Sequence, residues 1–78
     1  MQGPIDGNAV SKFGETYEYQ ATWLVRDKLI WDARVKRDGV LKGLPGGVVA
    51  DVPPGADIES IVRGQVVGAI WHLASIER

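Results

Sequence analysis

The chain has no cysteine and only one histidine, and these two absences exclude several kinds of chemistry. Without cysteine there are no disulfides, thiolate metal sites, iron–sulfur clusters or thiol catalysis. His72 alone cannot form a metal cage built from histidines. No apolar run approaches the roughly 18 residues that cross a membrane, and the N-terminus does not resemble a signal peptide. We therefore expect a cytoplasmic protein with no metal, no cofactor and no membrane partner.

An excess of charge of one sign is also missing. Nine basic and ten acidic residues leave a net charge of −1, so the chain as a whole is not a polycation directed at nucleic acid or membrane. Its 78 residues are enough for one small domain, which buries only about 60–65% of the surface that the unfolded chain exposes. Because such a core is small, we expect self-association to contribute to stability.

The first fifteen residues show no regular pattern of apolar side chains. Gly3, Pro4 and Gly7 interrupt them, and no period of 2 or 3.6 emerges. Such a composition is typical of irregular structure. The sequence therefore predicts a flexible N-terminal arm over residues 1–15 and a single α+β domain over residues 16–78.

The next two segments alternate between apolar and polar residues, as half-buried strands do. The first ends at Val25 and the second begins at Leu29, which leaves Arg26-Asp27-Lys28 as a three-residue hairpin loop. A two-residue loop would mix the two faces of the hairpin, because a slip of one residue turns a whole apolar set to the wrong side. The predicted pairs are Val25–Leu29, Trp23–Trp31, Ala21–Ala33 and Tyr19–Val35 on the packed face, with Glu18–Lys36 and Thr22–Asp32 on the other face.

Turn signals follow the hairpin. Asp38-Gly39 is a strong tight-turn dipeptide, which allows Val40 to Lys42 to fold back on the second strand. Leu44 to Gly47 has proline and glycine in the order of a type II turn and predicts another reversal. Val48 to Val52 is short and β-branched and predicts a third strand.

A helix is predicted from Asp57 toward the end of the chain. Asp57 is a suitable N-cap, and Glu59 lies in the first turn, where the helix dipole favours an acid. At about 100° per residue, one broad apolar stripe faces the sheet. The stripe consists of Ile58, Val62, Val66, Ala69, Ile70, Leu73 and Ile76. The predicted fold class is α+β, in which one C-terminal helix packs on a small antiparallel sheet made of a long hairpin and one or two short strands.

The opposite side of this helix carries few charges for a surface that faces water. Its two glycines each cost about 1 kcal/mol relative to alanine, while small residues permit close approach of another backbone. The set consists of Ser60, Gly64, Val67, Gly68, Trp71 and Ser75. Either the N-terminal arm covers these residues, or they form a helix–helix contact in a symmetric homodimer. We predict that they form a protein interface.

No group of residues has the composition of a catalytic site, so we expect no enzymatic activity. His72 lies mid-helix with no serine or cysteine placed as a nucleophile. Gly43, Gly46 and Gly47 precede a predicted strand, whereas a phosphate-binding loop leads into a helix N-terminus. The sequence predicts no catalytic, metal-binding or cofactor-binding residues.

Positive charge is concentrated in the hairpin and the turn that follows it. Residues 26–42 carry a net charge of +3, and the segments on either side carry −2 each. The four basic residues near the end of the second strand, which would meet phosphates as in β-ribbon DNA readers, are Arg34, Lys36, Arg37 and Lys42. The aromatic residues of the hairpin point to the packed face, so no stacking platform accompanies this charge. Nucleic-acid binding is therefore the alternative function.

Short motifs spread over residues 17–74 resemble the HicB-like antitoxin domain. That family has a tyrosine-led strand, a strand of aromatic-x-Ala-x-Val type, a Leu-Pro-Gly turn, a short strand, and a helix that opens with Thr/Asp-apolar-Glu. The matching residues are Tyr19 and Ala21; Trp31, Ala33 and Val35; Leu44, Pro45 and Gly46; Asp57, Ile58 and Glu59; and Ala69 and Ile70. The stretch from Lys36 to Gly43 is longer than the family's link, and Gly47 replaces a typical cysteine. The resemblance implies an antitoxin that masks a small toxin ribonuclease by binding it.

Together these patterns predict a non-enzymatic protein–protein interaction module. We expect it to form a homodimer and to bind a further protein, with an antitoxin-like role as the most specific form of that function. The alternative is a nucleic-acid-binding regulator that uses the basic hairpin.

Overall fold

A computed structural model describes residues 2–78, with side chains described from Pro4 onward. The elements are β1 (Gln2–Val10), β2 (Thr16–Val25), β3 (Leu29–Arg37), β4 (Val40–Gly43), β5 (Gly46–Val49) and α1 (Ile58–His72). The strands form one antiparallel sheet in the order β1-β2-β3-β4, and β5 also pairs with β3. The helix packs on one face of the sheet, so the predicted α+β fold class is confirmed.

The long hairpin has the predicted register. Trp23 lies opposite Trp31 and Val25 opposite Leu29, so the loop has three residues. On the exposed face, the Thr22 hydroxyl donates a hydrogen bond of 2.8 Å to an Asp32 carboxylate oxygen. The hairpin thus pairs apolar residues on the helix side and polar residues on the other side.

The chain then returns along the second edge of β3 in two short strands. Asp38 and Gly39 have φ angles of 53° and 78°, as the two central residues of a type I′ turn require. A register shift between Val35 and Lys36 marks a β-bulge in the pairing of β3 with β4. The tight turn predicted from this dipeptide is confirmed.

The predicted reversal at Leu44 to Gly47 is wrong. The Pro45 carbonyl accepts a hydrogen bond of 2.9 Å from the Ala33 N–H, so this segment continues beside β3 instead of turning. The strand predicted for Val48 to Val52 therefore starts earlier, and it is β5, Gly46–Val49. Pairing with β3 overrides the local turn preference, because it satisfies backbone groups that a turn would leave in water.

The predicted flexible arm is wrong for the described residues 2–15. Residues 2–10 form β1, which pairs with β2 over its whole length. Ser11 is buried and organises the following turn, since its hydroxyl oxygen accepts hydrogen bonds from the N–H groups of Phe13 and Glu15. The domain thus includes the segment expected to lie outside it, while Met1 lies outside the described residues.

Inward positions on β1 are small, which explains why no strand pattern is visible there. Ile5 is the one large apolar residue of β1 in the core, and Ala9 is half-buried. A Cβ at Gly7 would lie 2.7 Å from the Tyr19 hydroxyl oxygen and 2.9 Å from an Arg63 guanidinium nitrogen. The strand therefore needs glycine at a position where a strand pattern would show a large apolar residue.

The core lies between the sheet and α1, which packs mainly across β1 and β2. Val25, Ile58 and Leu73 were expected in this core and lie half-buried at its border. The buried apolar residues are Ile5, Tyr17, Tyr19, Ala21, Trp23, Leu29, Trp31, Ala33, Val35, Val62, Val66, Ile70 and Ile76.

The helix begins as predicted but ends before Ile76. An Asp57 carboxylate oxygen accepts the Ser60 N–H at 3.3 Å as the N-cap. After His72, Leu73 takes a left-handed conformation that ends the helix. Ile76 is still buried, but it belongs to a short C-terminal segment that bridges Gly43 of β4. The apolar stripe read as one helix therefore divides between a helix and an extended tail.

Candidate interaction surfaces

The side of α1 turned away from the sheet carries five of the six residues predicted as a protein interface, whereas Ser75, predicted on the same helix face, lies beyond the helix end in the tail against Gly43. We call these five the outward face: Ser60, Gly64, Val67, Gly68 and Trp71. Trp71 is 46% exposed and Val67 is 39% exposed. A Cβ on Gly64 or Gly68 would meet no atom within 4 Å. Residues 2–10 do not cover this face, because they lie in the sheet as β1.

Arg63 fixes the helix against β1. Its Nη1 donates to the Asp6 carbonyl oxygen at 2.9 Å and to the Tyr19 hydroxyl oxygen at 2.6 Å. The guanidinium carbon lies 5.9 Å from the centroid of the Tyr19 ring, within the range of a cation–π contact. The absence of a side chain at Gly7 gives this guanidinium its place. These contacts set which side of the helix lies next to β1.

Val67 and Trp71 follow Arg63 along the same side of the helix. Residues spaced by four are neighbours on a helix surface, so these three side chains form one row. The Lys12 N–H donates to the Trp71 carbonyl oxygen at 3.0 Å, which brings the far end of the row to the end of β1. The apolar part of the outward face therefore leans toward the β1 edge of the sheet.

Gly64 and Gly68 lean the other way. They border a shallow cleft of about 370 Å³ between α1 and the opposite edge of the sheet, with Trp31 and Gly46 in its wall. His72 also lines this cleft and is exposed. The small residues and the tryptophan, which the sequence groups together, therefore belong to two neighbouring surfaces.

The basic residues predicted as a nucleic-acid site do not form one surface. The set is Arg34, Lys36, Arg37 and Lys42. Arg34 and Lys36 lie on the sheet face away from α1, where Lys36 is opposite Glu18 and Asp32 is two residues from Arg34. Arg37 belongs to an ion-pair cluster elsewhere. Acidic neighbours interrupt the positive charge, so the structure does not present the continuous basic patch typical of phosphate-binding surfaces.

That cluster joins three distant parts of the chain around Glu15. Its carboxylate accepts Arg37 Nη1 at 2.7 Å and Arg78 Nε at 3.0 Å. Burial disfavours the charged carboxylate, but the hydrogen bonds and positive charges of Arg37 and Arg78 outweigh it and hold the pKa of Glu15 below its usual value. Arg78 also lies 4.1 Å from the centroid of the exposed Phe13 ring. The cluster therefore anchors the C-terminal tail.

The sheet face away from α1 is open and mostly polar. A cleft of about 640 Å³ on this face is lined by residues that include Pro4, Gln20, Arg34 and Leu44. Ile30 is 48% exposed at one end of the same face. The mixture of charges and isolated apolar side chains marks no single class of ligand.

The β1 edge of the sheet has unpaired backbone groups. In an antiparallel ladder, alternate residues direct both backbone groups to the same side. The Ser11 N–H, which continues the odd-numbered residues of β1, donates toward β2 to the Glu15 carbonyl oxygen at 2.8 Å, so the even-numbered residues direct their backbone groups away from β2. The Asp6 carbonyl oxygen accepts Arg63, whereas the N–H and C=O of Asn8 make no hydrogen bond among the described residues. This edge can therefore accept another strand.

The opposite edge is partly closed by the chain itself. The Glu77 N–H donates to the Lys42 carbonyl oxygen at 2.7 Å, and Ile76 bridges Gly43. A Cβ at Gly43 would overlap the Ser75 carbonyl oxygen, so the tail lies directly against β4. The tail lies beside β4 and leaves the four residues of β5 uncovered.

The described residues contain no group of three or more His, Asp or Glu side chains that could hold a metal ion. Within residues 2–78, no helix is long and apolar enough to cross a membrane. Neither the protein-family models, nor the curated proteins, nor the solved structures give a match to this chain. Its function must therefore be argued from its own surfaces.

Proposed function

We propose that the protein is a non-enzymatic interaction module that self-associates as a homodimer and binds a further protein. The observation that carries the proposal is the exposed pair of Val67 and Trp71 on the outward face. A single exposed apolar residue is ordinary, but these two are adjacent and one is a tryptophan, a residue enriched at the centres of protein interfaces. Burying both in a partner would remove apolar surface from water.

The glycines of α1 support the same proposal. Gly7 and Gly43 are required by their surroundings, because a Cβ at either position would collide with neighbouring atoms. Gly64 and Gly68 have no such requirement within the chain, yet each weakens the helix by about 1 kcal/mol relative to alanine. A contact with the further protein would give them a role that intrachain packing does not.

The test is the mass of the chain in solution, measured by light scattering over a concentration series. We expect a mass near twice 8.5 kDa at high concentration. The double variant Trp71→Ala/Gly68→Leu should shift the chain toward the monomer. Ile30→Ala, which removes a similarly exposed side chain from the other side of the sheet, is the matched control. A wild-type chain that stays monomeric throughout the series would refute self-association.

The most specific form of the proposal is an antitoxin-like role in which the partner is a small toxin ribonuclease. The elements β2, β3, β5 and α1 follow one another in the order that the HicB-like resemblance implies, while β1 and β4 have no counterpart in it. If a gene beside that of this chain encodes a small toxin ribonuclease, co-expression of the two chains should restore growth, and they should co-purify. Continued growth arrest together with no co-purification would exclude this role.

Nucleic-acid binding stays an alternative prediction with less support. If Arg34 and Lys36 contact phosphates, affinity should fall steeply with salt, since each neutralised phosphate releases counterions. Fluorescence anisotropy with labelled DNA and RNA at two salt concentrations tests this, with Arg34→Glu/Lys36→Glu as the variant. Binding that is absent, or unchanged by salt, would remove the alternative.

A further inference from the structure

We propose that a second copy of this chain adds its β1 to the β1 edge, so that the two sheets become one continuous antiparallel sheet. The two α1 helices then lie side by side on the same face of that sheet. This inference rests on the proposed self-association and specifies its interface.

The backbone of β1 can pair with itself. A twofold axis at Asn8 places Asn8 opposite its own copy and Asp6 opposite Val10 of the second copy. Because these even-numbered residues direct their N–H and C=O groups away from β2, the three pairs form about six hydrogen bonds, of which two share the Asp6 carbonyl oxygens with Arg63. Pro4 lacks an N–H and lies beyond the last pair. The ladder therefore ends where proline would interrupt it.

The side chains along this edge permit the pairing. Natural edge strands avoid it with lysine, proline, bulges or short length, and residues 5–10 have none of these devices. Asp6 is the one charged residue in that stretch and would face Val10 of the second copy. The two Asp6 residues would be about 14 Å apart at 3.4 Å per residue.

The position of α1 fits this arrangement. Neighbouring strands lie about 4.8 Å apart, and α1 packs mainly across β1 and β2. A helix above the midpoint of these strands is about 5 Å from the twofold axis, so the two helices would be about 10 Å apart. That is the usual distance between packed helices. Strand addition thus brings the helices into contact without a further movement.

The row of residues on the β1 side of α1 is self-complementary. Val67 lies midway between Arg63 and Trp71, four residues from each. In an antiparallel helix pair centred on Val67, this valine meets its own copy, and Arg63 lies beside Trp71 of the second copy. Arginine over tryptophan is a favourable cation–π pair. The arrangement buries both exposed apolar residues of the row and places an oriented guanidinium beside each tryptophan.

The surface is of modest size. The paired stretch of β1, residues 6–10, is about 17 Å long at 3.4 Å per residue, and the 15-residue α1 is about 22 Å long at 1.5 Å per residue. With smaller molecular extents of 20 and 17 Å, each copy contributes about 370–440 Å² in outline. The two copies together bury about 750–900 Å², which is in the range of weak, transient interfaces. We expect a dimer of modest affinity.

The experiment removes the N–H of Asn8, which lies at the proposed twofold axis and is directed away from β2. Asn8→Pro removes a donor that makes no intrachain hydrogen bond, and proline is tolerated where an edge N–H faces solvent. Val48→Pro is the matched control, because Val48 is exposed on β5 at the opposite edge. We expect Asn8→Pro to weaken dimerisation by about 100-fold, since it interrupts a ladder of charge-neutral hydrogen bonds, and Val48→Pro to leave dimerisation unchanged. Light scattering gives the mass, and circular dichroism confirms folding.

The outcomes separate this inference from the proposed function. If Asn8→Pro folds and dimerises as the wild type does, the β1 pairing is wrong and self-association through another surface stands. If the wild type is monomeric, both fail. Should Asn8→Pro not fold, amide hydrogen exchange on the wild type decides. The Asn8 amide is then expected to become protected as concentration rises, and free exchange of this amide in a dimer would overturn the inference.

Discussion

Replacing the two glycines of α1 with alanine should stabilise the folded monomer. Gly64 and Gly68 lie inside the helix, and a Cβ at either position meets no atom within 4 Å. Each alanine should therefore contribute its full advantage in helix propensity, about 1 kcal/mol. The double variant should gain about 2 kcal/mol, which corresponds to a rise of about 8–16 °C in melting temperature for a chain of this size.

The same substitution elsewhere should have the opposite sign. A Cβ at Gly7 lies 2.7 Å from the Tyr19 hydroxyl oxygen, so Gly7→Ala should destabilise the chain by about 1–3 kcal/mol. Gly43→Ala should do more harm, because the overlapping atom is the backbone oxygen of Ser75 and cannot rotate away. These two variants are controls for the general effect of adding a methyl group.

Thermal unfolding followed by circular dichroism at low protein concentration measures the monomer. A loss of stability in Gly64→Ala/Gly68→Ala would refute the reasoning, since it would mean that another part of the chain covers the outward face. The same variant also tests the interface at high concentration. The β1 pairing places these glycines away from the second copy, so dimerisation should persist; loss of the dimer would identify the glycines as the contact.

Three further predictions concern the ionic cluster, the core and the helix cap. The folded-state pKa of Glu15 is lower than the usual 4.5, so its contribution to stability is complete above about pH 4.5 and is lost as pH falls through the folded-state pKa. Glu15→Gln should therefore reduce the loss of unfolding free energy at low pH, measured by urea titrations at several pH values. An unchanged pH dependence would contradict the role of the cluster. Val66→Ala should cost about 2–3 kcal/mol of unfolding free energy because Val66 is fully buried. Val67→Ala should be nearly neutral in the monomer and weaken self-association. Equal losses of unfolding free energy in chemical denaturation would disprove the assignment of these two residues to different sides of the helix. Asp57→Ala should cost about 1 kcal/mol by removing the N-cap, and thermal melts showing no change would mean that the cap is dispensable.

The hairpin could be predicted from the sequence in detail. Its alternating apolar residues leave one register in which Trp23 meets Trp31, and a slip would expose the whole apolar set. The turn at Asp38-Gly39 was equally predictable, because this dipeptide favours the positive φ angles of a type I′ turn, and both residues have them. In these elements, local preference and long-range packing favour the same structure.

The remaining strands depend on contacts that the sequence does not display. Leu44 to Gly47 has the residues of a turn, yet the ladder with β3 determines its conformation. The helix pattern continues to Ile76, but the chain leaves the helix at Leu73 so that its tail can pair with β4. Each error arose where pairing between distant segments overrides a local preference.

The candidate interface was predictable only in part, because its position also depends on contacts between distant segments. Spacing by four identifies the outward face, and the structure leaves that face uncovered by the described residues. The spacing in the sequence does not reveal that Val67 and Trp71 lean toward one edge of the sheet while Gly64 and Gly68 lean toward the other. That division depends on Arg63, whose contacts link the helix to a strand that the sequence pattern does not predict.

The small inward residues of β1 both conceal this strand in the sequence and build the surface that we propose as the interface. A larger residue at position 7 would make the strand pattern visible, but it would also displace the Arg63 guanidinium from the Tyr19 ring and the Asp6 carbonyl. Without that anchor, the hydrogen bond from the Lys12 N–H to the Trp71 carbonyl oxygen would be left to hold the Arg63–Trp71 side of α1 beside the open edge, and it acts only at the far end of the helix.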